Sequence, residues 1–230
     1  AEELASLLDN PGSGKGDSHF AADWLALRVP EGHKARSIRL TRSLDQWLEA
    51  RYLHREGPER GRPIRIADLG AGAGSNVGYL VSRFSVPQEW LLVDHDESLL
   101  EQAEQRARKL DVTIDTRCEQ LATDTLSAAV PDNTDLVTAS ALIDLVSKDW
   151  LKALATRSAE LKAAVLITLS VNDYLLVDPP TEGDELVRGA FLDHQRRDKG
   201  TGGAMGPDAP EAFASELRAL GYQVQTEPAD

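Results

Sequence analysis

With 230 residues, 41% of them hydrophobic, the chain can bury one α/β core and has no need of a second. Against 25 basic side chains it carries 38 acidic ones, and the net charge of −13 sets up a field that repels phosphate backbones and argues against nucleic acid as a partner. No apolar run is long enough to cross a bilayer, the amino terminus lacks the basic-then-apolar pattern of a secretion signal, and Cys118 is the only cysteine; a cytoplasmic protein with no membrane association, no disulfide and no metal site is expected.

Residues 1–60 are expected to form an N-terminal helical extension or cap, and 61–230 an α/β domain, the two making one globular unit. Asn10–Ser18 (NPGSGKGDS) is a flexible break. It fails the phosphate-loop pattern, because Asp9 stands where the first glycine belongs, Gly16 follows Lys15, and no strand precedes it. His19–Leu27 and Ala35–His54 have helical spacing, with Leu40, Leu44, Trp47 and Leu48 on one stripe. The basic clusters Arg36–Arg42 and His194–Lys199 are short and mixed with other residue types, as on solvated helix faces.

Ile64–Leu69 is the first strand, mostly apolar and partly β-branched as expected of a buried parallel strand; it carries Asp68 and runs into three alternating glycines, Gly70, Gly72 and Gly74. Glycine suits a turn that presses against a ligand, since a Cβ would block both the bend and the approach. The helix Asn76–Phe84 follows and presents free N–H groups toward that ligand. A second strand, Trp90–Val93, ends at Asp94, placed to accept hydrogen bonds from a ribose diol. In these residues the chain resembles the class I S-adenosylmethionine-dependent methyltransferases. Asp68-Leu-Gly70-Ala-Gly72-Ala-Gly74 matches the family's first motif, and Leu92-Val-Asp94-His-Asp96 with the helix Ser98–Leu110 matches its second. The resemblance covers roughly residues 62–170.

Farther along, Val112–Arg117 reads as the third strand, Asp135–Ala139 as the fourth and Ala163–Leu169 as the fifth, with a helix capped by Ser147 between the last two. Strands joined by helices predict a doubly wound, mainly parallel sheet with helices on both faces, class I methyltransferase-like, behind the N-terminal helical extension. Residues 171–207 form a long connection at the ligand-facing end, with His194, Arg196, Arg197 and Asp198 as its functional groups and a short helix within Asp184–Arg197. Asp208 and Glu211 have capping-box spacing ahead of a helix that Gly221 terminates, and Tyr222–Thr226 reads as a sixth strand. The family pattern implies a seventh strand beside it, for which only 227–230 remain; that edge then calls for more chain or a partner, such as a second copy in a homodimer.

The resemblance implies S-adenosyl-L-methionine as cofactor and S-adenosyl-L-homocysteine as product. Asp68 and the backbone of Gly70, Ala71, Gly72 and Gly74, with Asn76 in the following helix, would hold the methionine end, and Asp94 the ribose. His95 would border the adenine or, with Asp96, cap the next helix; Cys118, Glu119 and Gln120 would contact the adenine ring. Ser140 would close the cofactor site and open a substrate wall continued by Ala141, Asp144, Ser170, Asn172, Asp173 and Tyr174. The wall lacks the Asn/Asp-Pro-Pro-Tyr of amide and adenine methylation, since Ser140-Ala-Leu-Ile stands in its place, so a small-molecule acceptor is expected. Asp144, Asp173, His194 and His33 are the candidate bases, and Trp24, Arg28, His33 and Arg36 could reach the substrate from the extension. Two alternatives remain: a non-catalytic S-adenosylmethionine-binding scaffold or sensor, and an NAD-dependent oxidoreductase. The latter is disfavoured by Ser75 at the sixth place of the glycine fingerprint and by an acid where a pyrophosphate would lie.

Overall fold

The structure is a computed structural model that describes residues 29–110, 112–170, 181, 183–184, 186–189 and 201–228. His19–Leu27, Trp24, Arg28, Asn172, Asp173, Tyr174 and His194 to Asp198 lie outside the described residues. Five strands form one sheet: β1 (Ile64–Leu69), β2 (Gln88–Asp94), β3 (Thr113–Cys118), β4 (Leu136–Ser140) and β5 (Ala164–Thr168). Every pairing is parallel and the order is β3-β2-β1-β4-β5. The chain winds outward from β1 to β3, then returns to lay β4 on the other side of β1. The strand order therefore reverses between β1 and β4, where open parallel sheets bind ligands beyond their carboxyl ends.

Helices cover both faces, as the patterning predicts. On one, α1 (Ile38–Leu53), α2 (Ser75–Leu80) and α3 (Glu97–Ala107) bury Leu48, Val77, Leu80, Leu100 and Ala103 against Ile64, Ile66, Trp90 and Leu92. On the other, α4 (Leu126–Ala129), α5 (Lys148–Leu161) and α6 (Ala209–Ala219) pack Trp150, Leu151, Leu154, Phe213 and Leu217 on Leu69, Val93, Val137 and Ala139. Polar residues set the helix starts. Ser37 Oγ accepts from Leu40 N, Asp96 accepts from Ser98 N and Leu99 N, and Ser147 Oγ accepts from Trp150 N. Asp96 thus takes the capping role that the sequence left open. Among the described residues no helix is long and apolar enough to cross a membrane.

The amino end of the sheet is fastened by Asp135, just before β4 and 1% exposed. Its carboxylate meets Arg55 Nη2 at 2.6 Å, Arg51 Nε at 3.0 Å and Arg62 Nη1 at 3.3 Å, and accepts the Arg65 N–H at 2.9 Å. Burial pushes this carboxyl up, but the bonds from Arg55, the Arg65 N–H and Arg51 outweigh it and hold it below the usual range. The cluster ties the end of α1 and the 54–63 connection to β1 and β4.

Three local expectations need correction. Tyr222–Thr226 forms no strand and joins no ladder. It is anchored by side chains instead: Tyr222 Oη donates to Ala163 O at 2.8 Å, and Arg39 of α1 bonds Gln225 and Glu227. Between this segment and β5 runs a groove of about 480 Å³ whose floor includes Leu40, Leu44 and Trp47. Trp47 is therefore 41% exposed rather than part of the core stripe. Asp208 does not cap α6, because Pro207 and Pro210 carry the Gly206–Asp208 3₁₀ turn straight into the helix and leave Asp208 with helical angles. The far end of α6 follows expectation, with Gly221 at φ +89° and Tyr222 N donating to Leu217 O.

Candidate functional site

At the strand-order reversal the three glycines take left-handed angles, with φ of 64°, 51° and 79° for Gly70, Gly72 and Gly74. Their surroundings differ. A Cβ on Gly74 would lie 3.1 Å from Ala103 Cβ and 3.3 Å from its Cα, so this glycine lets α2 pack on α3. On Gly70 it would press on Leu142, and on Gly72 it would meet nothing within 4 Å, because that position faces open space. Gly74→Ala is accordingly expected to destabilise the protein by about 2–3 kcal/mol, from left-handed strain plus the clash with Ala103. Gly72→Ala should cost only the strain, about 1 kcal/mol. Urea unfolding of the two variants checks the ranking.

Asp68 and Asp94 stand on either side of this loop. Asp94, at the end of β2, accepts the Gly72 N–H on Oδ2 at 2.8 Å and the Asp96 N–H on Oδ1 at 3.0 Å, which fixes its carboxylate beside the loop. Asp68 is fully buried; Oδ1 accepts from Asn76 Nδ2 at 2.7 Å, while Oδ2 has no hydrogen-bond partner among the described residues. Burial raises the Asp68 carboxyl to about 7, with the Asp94 charge adding to the rise and Asn76 and Arg36 opposing it. Asn76 also donates to Thr138 Oγ1 and accepts from Arg36 Nη1 at 2.5 Å, so its amide orientation is fixed by three partners. Arg36 reaches on to Ser140 Oγ at 3.1 Å.

Two cavities meet over the loop, and both are walled by Gly70 and Ala141. One, of about 320 Å³, is lined by Asp94, His95, Gln120, Leu121, Leu142 and Thr201. The other, of about 500 Å³, is lined by His33, Arg36, Gly72, Asn76, Ser140 and Leu169, with Ala71 and Arg106 also on its wall. Ala141 and Leu169 follow β4 and β5 directly, and both are held at positive φ, 55° and 59°, a strain of about 1–2 kcal/mol each that the surrounding fold sustains at the mouth of the site.

The structure brings together Asp68, Gly70, Ala71, Gly72, Asn76, Asp94, His95 and Ser140. His95 projects outward, 72% exposed, with Nδ1 3.2 Å from Asp94 Oδ1. Of the three residues expected at the adenine, Gln120 lines the first cavity, beside Leu121, and Cys118 and Glu119 do not; Glu119 N donates to Asp94 O, and the exposed Cys118 thiol donates to His95 O at 3.5 Å. Of the candidate bases, His33 lines the second cavity. Its Nε2 lies 3.3 Å from Ser75 Oγ and from Ser75 O, and its ring is 5.0 Å from that of Tyr79. Burial lowers the His33 pKa, the Ser75 backbone bond works against this, and the Arg36 and Arg83 charges add to the lowering, so the ring is neutral at pH 7. Asp144 is buried in the 3₁₀ turn Ile143–Leu145 and is not among the residues lining either cavity. Arg106 and Thr201 escaped the sequence reading: Arg106 looks like one more surface cation of an amphipathic helix, and Thr201 comes from a distant loop.

Residues 66–163 match the family described as "Methyltransferase domain". No curated protein matches the chain in sequence. Among solved structures, the citrinin polyketide synthase C-methyltransferase domain is 18% identical, with 80% of this chain and 46% of that one covered and a TM-score of 0.49. For phosphoethanolamine N-methyltransferase 2 of Haemonchus contortus the values are 16%, 78%, 36% and 0.44, and for magnesium protoporphyrin IX methyltransferase of Synechocystis PCC 6803 they are 15%, 82%, 74% and 0.48. The chain spans less than half the length of the first two.

Proposed function

We propose that this chain, whose residues 66–163 match a methyltransferase domain, binds S-adenosylmethionine as a class I methyltransferase and transfers its methyl group in line to a small-molecule acceptor. The observation that carries the reading is the pairing of a buried acid, Asp68, whose Oδ2 lacks a partner among the described residues, with open space above Gly72 and a second acid, Asp94, across the loop. A cationic amino-acid group supplies what Asp68 Oδ2 lacks, a sugar diol suits Asp94, and a main chain without a Cβ at Gly72 lets the ligand lie close. These features fit S-adenosylmethionine, whereas a pyrophosphate beside Asp68 would meet repulsion.

Bound there, the cofactor supplies a methyl on a positive sulfur that leaves as a thioether. The chain's share is placement and exclusion of water. The Gly70–Gly74 backbone with Ala71 and Asn76 holds the methionine end, Asp94 the ribose, and His95, with Gln120 and Leu121, borders the adenine. Ser140 and Ala141 divide cofactor from acceptor, and oriented binding of this kind can lower a barrier by roughly 7–11 kcal/mol. For an acceptor that must lose a proton, neutral His33 on the cavity wall can take it; Asp144, Asp173 and His194 are the other groups that would serve if the acceptor reaches them.

Calorimetric titration tests the cofactor assignment: S-adenosylhomocysteine is expected to bind and NAD not to, and the reverse would overturn the reading. Turnover of S-adenosylmethionine to S-adenosylhomocysteine with a panel of small hydroxyl, amine and thiol acceptors then separates an enzyme from a binding scaffold, which would yield product with none.

A further inference from the structure

The cavity lined by His33, of about 500 Å³, is charged against the sign of the chain as a whole. Over the full sequence acids outnumber bases and the net charge is −13. On this cavity wall the ionic side chains are Glu31, Arg36 and Arg106. Glu31 is already bound by Lys34 Nζ at 2.7 Å, whereas Arg106 donates to the uncharged Ala73 O at 2.7 Å. Two guanidiniums thus stand against one carboxylate, and that carboxylate has its own counter-ion. A cleft lined by one sign of charge concentrates ligands of the other.

Arg36 sharpens the imbalance, because it is only 5% exposed, at the bend between the 29–34 helix and α1. Nη1 donates to Asn76 Oδ1 at 2.5 Å, Nη2 donates to Ser140 Oγ at 3.1 Å, and Cζ lies 4.8 Å from the centroid of the Tyr79 ring. All three partners are uncharged, and Nε has no hydrogen-bond partner among the described residues. Asp68 is bonded to the other end of the Asn76 amide and does not line the cavity. A buried guanidinium with no carboxylate in contact is unfavourable until an anion reaches it. The bond to Ser140 puts this one where β4 ends, at the partition between cofactor and acceptor, in the same cavity as His33. Resting on the methyl-transfer reading above, we infer that the acceptor carries a carboxylate or phosphate group, that Arg36 binds it, and that Arg106 adds to the field that draws it in. Both groups match the planar fork of donors on a guanidinium. The anion is the acceptor's handle and not its reacting atom, which leaves His33 free for a proton.

The test is calorimetry on the protein saturated with S-adenosylhomocysteine. Acetate, benzoate and phenyl phosphate are titrated beside their uncharged counterparts, acetamide, benzamide and phenol, into the wild type, Arg36→Gln and Arg36→Lys. At least one anion is expected to bind the wild type about 10- to 100-fold more tightly than its counterpart, the range for hydrogen bonds to a charged group. Which anion does so identifies the group as carboxylate or phosphate. The preference should vanish in Arg36→Gln and survive in part in Arg36→Lys, which keeps the charge without the fork. Affinity for S-adenosylhomocysteine should stay within about twofold in both variants, as for a ligand that makes no contact with the changed group. Equal wild-type binding of the anions and their counterparts would overturn the inference without any variant having to fold, as would a preference that persists undiminished in Arg36→Gln. Lost affinity for S-adenosylhomocysteine in folded Arg36→Gln would also overturn it, by assigning Arg36 to the cofactor. Failure of the wild type to bind S-adenosylhomocysteine would instead remove the methyl-transfer reading itself.

Discussion

Asp68→Asn is expected to remove cofactor binding and, at pH 8, to make the ligand-free protein harder to unfold. In the folded, ligand-free protein the Asp68 carboxyl is raised from 3.8 to about 7, chiefly by burial. Between those values the folded state holds a proton that the unfolded chain has released, so Asp68 costs nothing below about pH 4, and its penalty grows as pH rises toward 7 and then levels off. Above pH 7 the penalty is roughly 4 kcal/mol. Asparagine keeps an oxygen for Asn76 Nδ2 and carries no charge to desolvate. Urea unfolding of both proteins across pH 5 to 8 should show the variant's advantage widening with pH, and a constant or reversed difference would refute the argument. Its affinity for S-adenosylhomocysteine should fall by about 100-fold or more, because the buried counter-charge for the ammonium is gone. Wild-type affinity should likewise weaken as pH drops below about 7 and Asp68 is protonated.

Asp135→Ala should produce the largest loss of stability. The side chain is 2% exposed and balances Arg55, Arg62 and Arg51, the first of which is itself almost wholly buried. Removing the acid leaves the buried Arg55 guanidinium without its counter-charge and takes the acceptor from the Arg65 N–H, a loss of about 3–5 kcal/mol. Asp135→Asn retains an acceptor for Arg65 N–H and should lose less. The Asp135 carboxyl is held below its ordinary value, so its contribution is present above the unfolded pKa and disappears as pH falls through the lowered one. The cluster sits at the amino ends of the strands, away from the glycine loop. Folded Asp135→Asn should therefore bind S-adenosylhomocysteine as the wild type does, a result open to direct calorimetric check.

The central strands and the glycine loop were legible because each is written locally. Ile64–Leu69 and Leu136–Ser140 are apolar runs of strand length, the alternating glycines mark a turn with positive φ, and Asp94 ends a strand next to that turn. What escaped notice depends on contacts between residues far apart in the chain. Arg36 was legible as a residue that could reach the site, but its partners were not, because only the fold brings it to Asn76, 40 positions on, and to Ser140, 104 positions on. Trp47 fits a core stripe by periodicity, yet it faces the groove beside β5, because α1 packs on the sheet through Leu48. Tyr222–Thr226 has strand composition, but pairing also requires an adjacent edge, and side-chain anchors at Ala163 and Arg39 hold it off β5. At Asp208 the capping-box spacing is correct and the flanking prolines decide the backbone instead.

The most direct measurement of the central claim is a crystal structure of the complex with S-adenosylhomocysteine. The ribose hydroxyls are expected on the Asp94 carboxylate, the amino-acid end beside Asp68, and the chain of the ligand over Gly72. A nucleoside bound elsewhere, or a loop from Gly70 to Gly74 with no ligand against it in a saturated crystal, would contradict the account.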